Sequence, residues 1–214
     1  MGRFSIEKSL NNPQQTNSQP GTPNFLTNWP QVFSKESIGI ELPGVVWDDK
    51  EILNPTDISI ITGSLEAVRN MRLNGYKVFL YFNEPLISKG RLTQNDVDAR
   101  IQHLMQIFGQ AGILSIEGIL YSTTHFKEDL FAFPNAGMLK RAEKEFNQNY
   151  KGGYFVTNNY NGIKAGYSVG ARPILINSEK QDTVLKKLDT FANKELKNKV
   201  NMFDNLQKFV ATLS

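Results

Sequence analysis

The sequence contains no cysteine, so disulfides, thiolate nucleophiles and every cysteine-based zinc site are excluded. Its two histidines are too few for a His-rich metal centre, and any metal would rest on oxygen ligands. An excess of one charge is missing as well. The 24 basic residues are nearly matched by 21 acidic ones, and a formal charge of +3 is too small to imply a nucleic-acid partner. No apolar run approaches the roughly 20 residues a membrane-crossing helix needs, and Met1-Gly2-Arg3-Phe4-Ser5 leads into no hydrophobic signal-peptide core. These absences predict a soluble protein with no membrane partner, cytoplasmic or held within a macromolecular particle, and not secreted by a signal peptide. What is present is 40% hydrophobic and 11% aromatic residues in a chain of 214, enough for one packed domain.

Composition divides the chain in two. Residues 10 to 24 hold one apolar residue and three prolines, too little burial to offset the entropy of ordering. They predict a polar, extended N-terminal arm over residues 1–36, ahead of an α/β domain over 37–214. Phe25, Leu26, Trp29 and Phe33 are apolar enough to pin the arm onto its own domain or a neighbour, and are the partner-binding candidates.

From Ser37 onward the hydrophobic period alternates between strand and helix. Ile38-Gly39-Ile40-Glu41-Leu42, closed by Pro43-Gly44, reads as a buried strand ending in a turn. Ser64 is placed to cap a helix through Asn74, and Tyr76 to Phe82 forms the second strand. Thr93 opens a helix carrying Val97, Ile101, Leu104 and Phe108 on one face, with His103 as a half-exposed helical residue. Further strands are predicted over 116–121, 153–156 and 173–176, with helices over 137–147 and 163–169. The tail over 178–199, with six lysines among apolar residues, reads as one amphipathic surface helix, and Phe203 to Val210 as a terminal helix. This order predicts a doubly wound, mostly parallel sheet with helices on both faces and no large cap domain.

In such sheets ligands sit beyond the carboxyl ends of the strands, which directs attention to Glu41-Leu42-Pro43-Gly44, Phe82-Asn83-Glu84-Pro85, Phe131 to Gly137 and Thr157-Asn158-Asn159. Together with the stretches between them, these segments resemble the haloacid-dehalogenase superfamily, most closely its capless histidinol-phosphate and D,D-heptose-bisphosphate phosphatase branch. Asn83 to Thr93 resembles that branch's Asn-Gln-Ser-Gly-Ile-Ala-Arg-Gly loop, and Pro134-Asn135-Ala136-Gly137-Met138-Leu139 its Pro-His-Pro-Gly-Met-Leu. Ile116 to Ser122 is similar to the strand before its zinc loop. Tyr154-Phe155-Val156 followed by Ala165-Gly166 matches the surroundings of its fourth motif.

The resemblance implies a nucleophilic Asp, a second Asp two residues later as acid and base, a hydroxyl, a lysine and Mg²⁺ held by further carboxylates. At the matching positions this chain has Glu41, Pro43, Phe82, Phe133 and Asn158, with Gly162 in place of the later acidic residue. Glutamate moves the carboxylate outward by one methylene, and proline cannot transfer a proton. Asp48-Asp49 follow beyond the turn, too late to restore the pair. Of the zinc loop only His125 remains.

These replacements predict a catalytically inactive protein, without cofactor or metal, serving as a structural or interaction subunit whose arm contacts neighbouring protein subunits, a virion or another multi-subunit particle being the kind of assembly meant. Two other readings stand beside it. One is a regulatory module binding phosphate or a sugar phosphate through Asn83, Lys89, Thr157 and Asn158, against which Phe82 and Phe133 together would fill the former cavity. The other is a residual Mg²⁺-dependent phosphatase using Glu41.

Overall fold

Alternation of side chains across short apolar strands builds the core. In the second strand Ile38 and Ile40 face one side and Gly39 the other, and the third strand repeats the pattern with Val78, Leu80 and Phe82 against Phe79 and Tyr81. The computed structural model describes residues 2–4, 36–124, 126, 128–179 and 181–213. Its strands are β1 (Gly2–Phe4), β2 (Ser37–Glu41), β3 (Lys77–Asn83), β4 (Gly118–Ser122), β5 (Tyr154–Thr157), β6 (Arg172–Ile176) and β7 (Asn201–Phe203). They form a 7-stranded sheet in the order β1-β4-β3-β2-β5-β6-β7. All pairings are parallel except β1, which lies antiparallel on the β4 edge.

The helices are α1 (Ser64–Leu73), α2 (Pro85–Ser88), α3 (Gln94–Gln110), α4 (Gly137–Glu145), α5 (Tyr160–Ser168), α6 (Gln181–Leu188), α7 (Lys194–Lys197) and α8 (Leu206–Val210). Apolar residues of α1, α3 and α8 (Val68, Met71, Ile101, Leu104, Phe209) cover the face of Ile38, Leu80 and Ile119. Met138 and Leu139 of α4 and Ala165 of α5 cover the face of Phe79, Tyr81 and Phe155, while Val184 and Leu188 of α6 pack on Leu175. Each fully buried aliphatic or aromatic side chain contributes about 1.5–3 kcal/mol relative to exposure. Among the described residues no helix is long and apolar enough to cross a membrane.

The sheet and its helices follow the predicted order, and the exceptions have local causes. Gly63 rather than Ser64 occupies the cap of α1, with a positive φ of 80°, while the Ser64 hydroxyl donates to the Val46 carbonyl at 3.0 Å. The lysine-rich tail is not one helix. After Leu188 the Thr190 hydroxyl and the Asn193 amide both donate to the Lys187 carbonyl, at 3.1 and 2.7 Å, and the chain turns before α7. Phe203 ends a strand rather than starting a helix, because 201–203 extend the sheet beside β6 and Asn205 then caps α8. Phe25, Leu26, Trp29, Phe33 and His125 lie outside the described residues.

Thr93 opens α3 as expected, through a capping box. Its hydroxyl donates to Asp96 Oδ2 at 2.6 Å, its backbone N–H donates to the same oxygen at 2.7 Å, and Asp96 N–H donates back to the Thr93 hydroxyl oxygen at 3.2 Å. The Thr93 side-chain bond, with the backbone bond beside it, holds the Asp96 carboxyl below its ordinary value. A depressed folded-state value means that the cap's contribution is complete above the ordinary carboxylate range and is lost as pH falls through the Asp96 titration. Thr93→Ala is expected to lower Tm by about 2–4 °C and to move the Asp96 titration upward, read by calorimetry and NMR. An unchanged Asp96 titration would contradict this origin of the cap's strength.

Candidate functional site

The strand order reverses beside β2. β3 and β4 lie to one side and β5, β6 and β7 to the other, so a crevice opens beyond the carboxyl ends of β2 and β5. Glu41 ends β2 and Thr157 ends β5. The Thr157 hydroxyl donates to Glu41 Oε2 at 2.5 Å, and the Asn159 amide donates to the same oxygen at 2.8 Å. Asn159 is also the N-cap of α5, its Oδ1 accepting from Gly162 N–H at 3.0 Å. One asparagine therefore fixes both the start of the helix and the carboxylate. Glu41 is only 6% exposed, and these donors offset the cost of burying its oxygens.

The larger residue at 41 fits because residue 162 is the smallest available. A Cβ at Gly162 would stand 2.6 Å from Glu41 Oε2 and 2.3 Å from Thr157 Oγ1. The Glu41 carboxylate oxygen occupies space that a side chain at residue 162 would need. Asn158 is buried beside them, and a Cβ at Gly44, whose φ is +72°, would meet its amide nitrogen at 1.8 Å.

Above Glu41 is a cleft of about 360 Å³, into which Pro43, Asn83, Phe133 and Asn158 also face. Asp49 faces it too, although its place in the sequence lies beyond the turn. The N–H groups of Val45, Val46 and Trp47 all converge on the Leu42 carbonyl, and Asp48 N–H bonds to Ser59 at 2.8 Å, which folds the loop back over the strand end. Thr157 lies beneath the cleft rather than on its wall. Lys89 is on an adjoining groove of about 270 Å³ that shares Pro43, Asp49 and Asn83 with the cleft. There the buried Arg100 pairs with Glu84 and donates to the Ile52 carbonyl at 2.6 Å.

Phe82 and Phe133 do not jointly fill one cavity. Phe82 belongs to the α1/α3 face, stacked on Tyr121 at 5.0 Å and edge-on to Trp47 at 5.6 Å. Phe133 belongs to the opposite face, edge-on to Phe155 at 5.6 Å. Strand alternation separates them, and the cleft stays open. Beneath Phe133 the Tyr81 and Tyr150 hydroxyls meet at 2.7 Å; burial pushes both phenols up, so they stay neutral.

Tyr160, Thr183 and Lys187 also line the cleft, and sequence reasoning missed them. The i, i+4 spacing of Thr183 and Lys187 was the available signal, hidden within a lysine-rich face that reads as solvated.

Hard magnesium requires oxygen ligands, normally with carboxylates among them. Among the described residues no group of three or more His, Cys, Asp or Glu is placed to hold a metal ion. Glu41 Oε2 already accepts two neutral donors, and Asn158 Oδ1 accepts from the Asn159 amide at 3.4 Å. Pro43 brings no side-chain ligand. With Asp49 the described cleft offers two carboxylates, short of the fuller set that the resemblance implies for the ion.

The fold is shared with solved D,D-heptose 1,7-bisphosphate phosphatases. The chain is similar to the D,D-heptose 1,7-bisphosphate phosphatase of B. bronchiseptica, solved with magnesium and phosphate, at a TM-score of 0.74 and 16% identity over 84% of this chain and 98% of the other. Its counterpart from Burkholderia thailandensis gives a TM-score of 0.62 and 19% identity over 83% and 97%. In sequence the chain is 27% identical to the D-glycero-alpha-D-manno-heptose-1,7-bisphosphate 7-phosphatase of Campylobacter jejuni over 149 residues, 69% of this chain and 86% of that protein. No protein-family model matches the chain.

The similarity to the Campylobacter jejuni protein overturns the expectation of a catalytically inactive structural subunit, virion component included. The relatives are named as phosphatases, and the one with the sequence match is covered along most of its length. The pseudoenzyme expectation rested on counting replaced side chains. It set the reading that uses Glu41 behind them, whereas this carboxylate lies buried at the end of the central strand and opens onto a cleft.

The exchange of size between positions 41 and 162 is testable. Gly162→Ala is expected to cost about 1–3 kcal/mol by overpacking against Glu41 and Thr157. Adding Glu41→Asp should recover part of that loss, so the two substitutions are non-additive in a double-mutant cycle of denaturant unfolding. Additive losses would show that residue 162 does not set the room at 41.

Proposed function

We propose that the protein is a phosphomonoester hydrolase that takes a phosphorylated sugar into the cleft at Glu41. The observation that carries this reading is the carboxylate itself, buried at the end of the central strand, lining the cleft and steadied by two neutral donors. The name of the Campylobacter jejuni relative supports a sugar phosphate as the substrate class. The cytoplasm, where sugar phosphates are made and consumed, is the compartment this reading implies.

Glu41 takes a proton from water as the water oxygen bonds to phosphorus. The ester P–O bond breaks, and the proton passes to the departing sugar oxygen. Because Pro43 carries no acid, one carboxylate serves in both directions. Turnover is accordingly slow, below that of a site with a positioned acid–base pair by about 10²–10⁴-fold.

D-glycero-α-D-manno-heptose 1,7-bisphosphate is the substrate to try first. Phosphate release is expected to be slow, insensitive to EDTA and reduced about 100-fold by Glu41→Gln, with binding retained. Binding heat without release would replace hydrolysis by a sugar-phosphate-binding module. Release that survives Glu41→Gln marks a contaminating enzyme and leaves Glu41 without a part in proton transfer.

A further inference from the structure

We infer that Lys187, from α6, is the residue that recognises the phosphate in the Glu41 cleft, with Tyr160 and Asn193 holding it in place; this rests on the function proposed above. Of the described residues lining the cleft, Lys187 is the one cation, facing the two carboxylates Glu41 and Asp49. Glu41 and Asp49 bring acidic groups to the cleft, and Lys187 brings the opposite charge that attracts a phosphate. Phe133 stands where the resemblance implies a lysine, and its ring is packed against Phe155.

Lys187 is on α6, after β6 in the chain, and reaches the cleft by a different route. Thr183 and Lys187, one turn apart, both line the cleft, so that face of α6 looks into it. The Lys187 Nζ stands 5.6 Å from the centroid of the Tyr160 ring, whose face attracts the ammonium. The Tyr160 hydroxyl donates to Asn193 Oδ1 at 3.0 Å, and the Asn193 amide donates to the Lys187 carbonyl at 2.7 Å. Asn193 thus ties the ring beneath the ammonium to the backbone that carries it. The same contact that breaks the tail helix after Leu188 sets the lysine over the cleft.

Among the described residues the other cations nearby do not fill this place. Lys50 pairs with Asp48 at 3.3 Å, Arg100 pairs with Glu84, and Lys89 faces the adjoining groove. Lys164 stands 5.8 Å from the same Tyr160 ring, yet does not line the cleft, which makes it the internal control.

The test is calorimetric titration of the full chain with inorganic phosphate and with the heptose bisphosphate, at two salt concentrations, alongside steady-state phosphate release. Lys187→Gln is expected to weaken binding about tenfold and to flatten its salt dependence, raising KM while leaving kcat little changed. Lys187→Arg should restore most of the affinity, and Lys164→Gln should bind as the wild type does. Wild-type affinity in Lys187→Gln overturns the inference while leaving the hydrolase reading standing. So does an equal loss in Lys164→Gln, which would mean diffuse surface charge. No phosphate binding by the wild type removes both. A fall in kcat with unchanged KM would show that Lys187 does not act by binding the phosphate.

Discussion

The buried carboxylate of Glu41 ties together the two halves of the sheet where the strand order reverses. Its Oε2 accepts from Thr157 on the neighbouring strand β5 and from Asn159 at the start of α5. Burying this group without donors would cost several kcal/mol. The donors in turn depend on the Asn159 cap and on the absence of a side chain at Gly162. Strand end, helix start and cleft floor are therefore one arrangement, and the shape of the cleft follows from it.

The cleft is built around one carboxylate at the end of the central strand. The space for the Glu41 carboxylate comes from residue 162, where a Cβ would crowd its Oε2. Phe82 and Phe133 belong to the core on opposite faces of the sheet and do not close the crevice. A site described by which residues it has lost looks inert. Described by what surrounds the carboxylate, the same site has an anchored oxygen, an open cleft and a cation from α6.

The architecture was largely legible in the sequence, because five apolar strand segments between amphipathic helices leave few ways to bury them. Gly109 and Gly112 marked the end of α3, and Thr93 its start, through side-chain chemistry visible at three-residue spacing. The tail was misread because its apolar period continues past Leu188, whereas the break is made by Thr190 and Asn193 bonding back to a main-chain carbonyl. In the site, Glu41 was legible as a strand-end carboxylate. Asp49 and Lys187 were not, since one depends on a loop folding back on Leu42 and the other on a helix approaching from later in the chain. The coupling of Glu41 to Gly162 is likewise a contact between distant positions that no local pattern encodes.

A crystal structure of the protein with a bound sugar phosphate tests the central claim most directly. The phosphate is expected in the cleft, its phosphorus beside Glu41 and one of its oxygens about 3 Å from the Lys187 ammonium. Phosphate bound elsewhere on the molecule, or in the adjoining groove out of reach of Glu41, would contradict that claim.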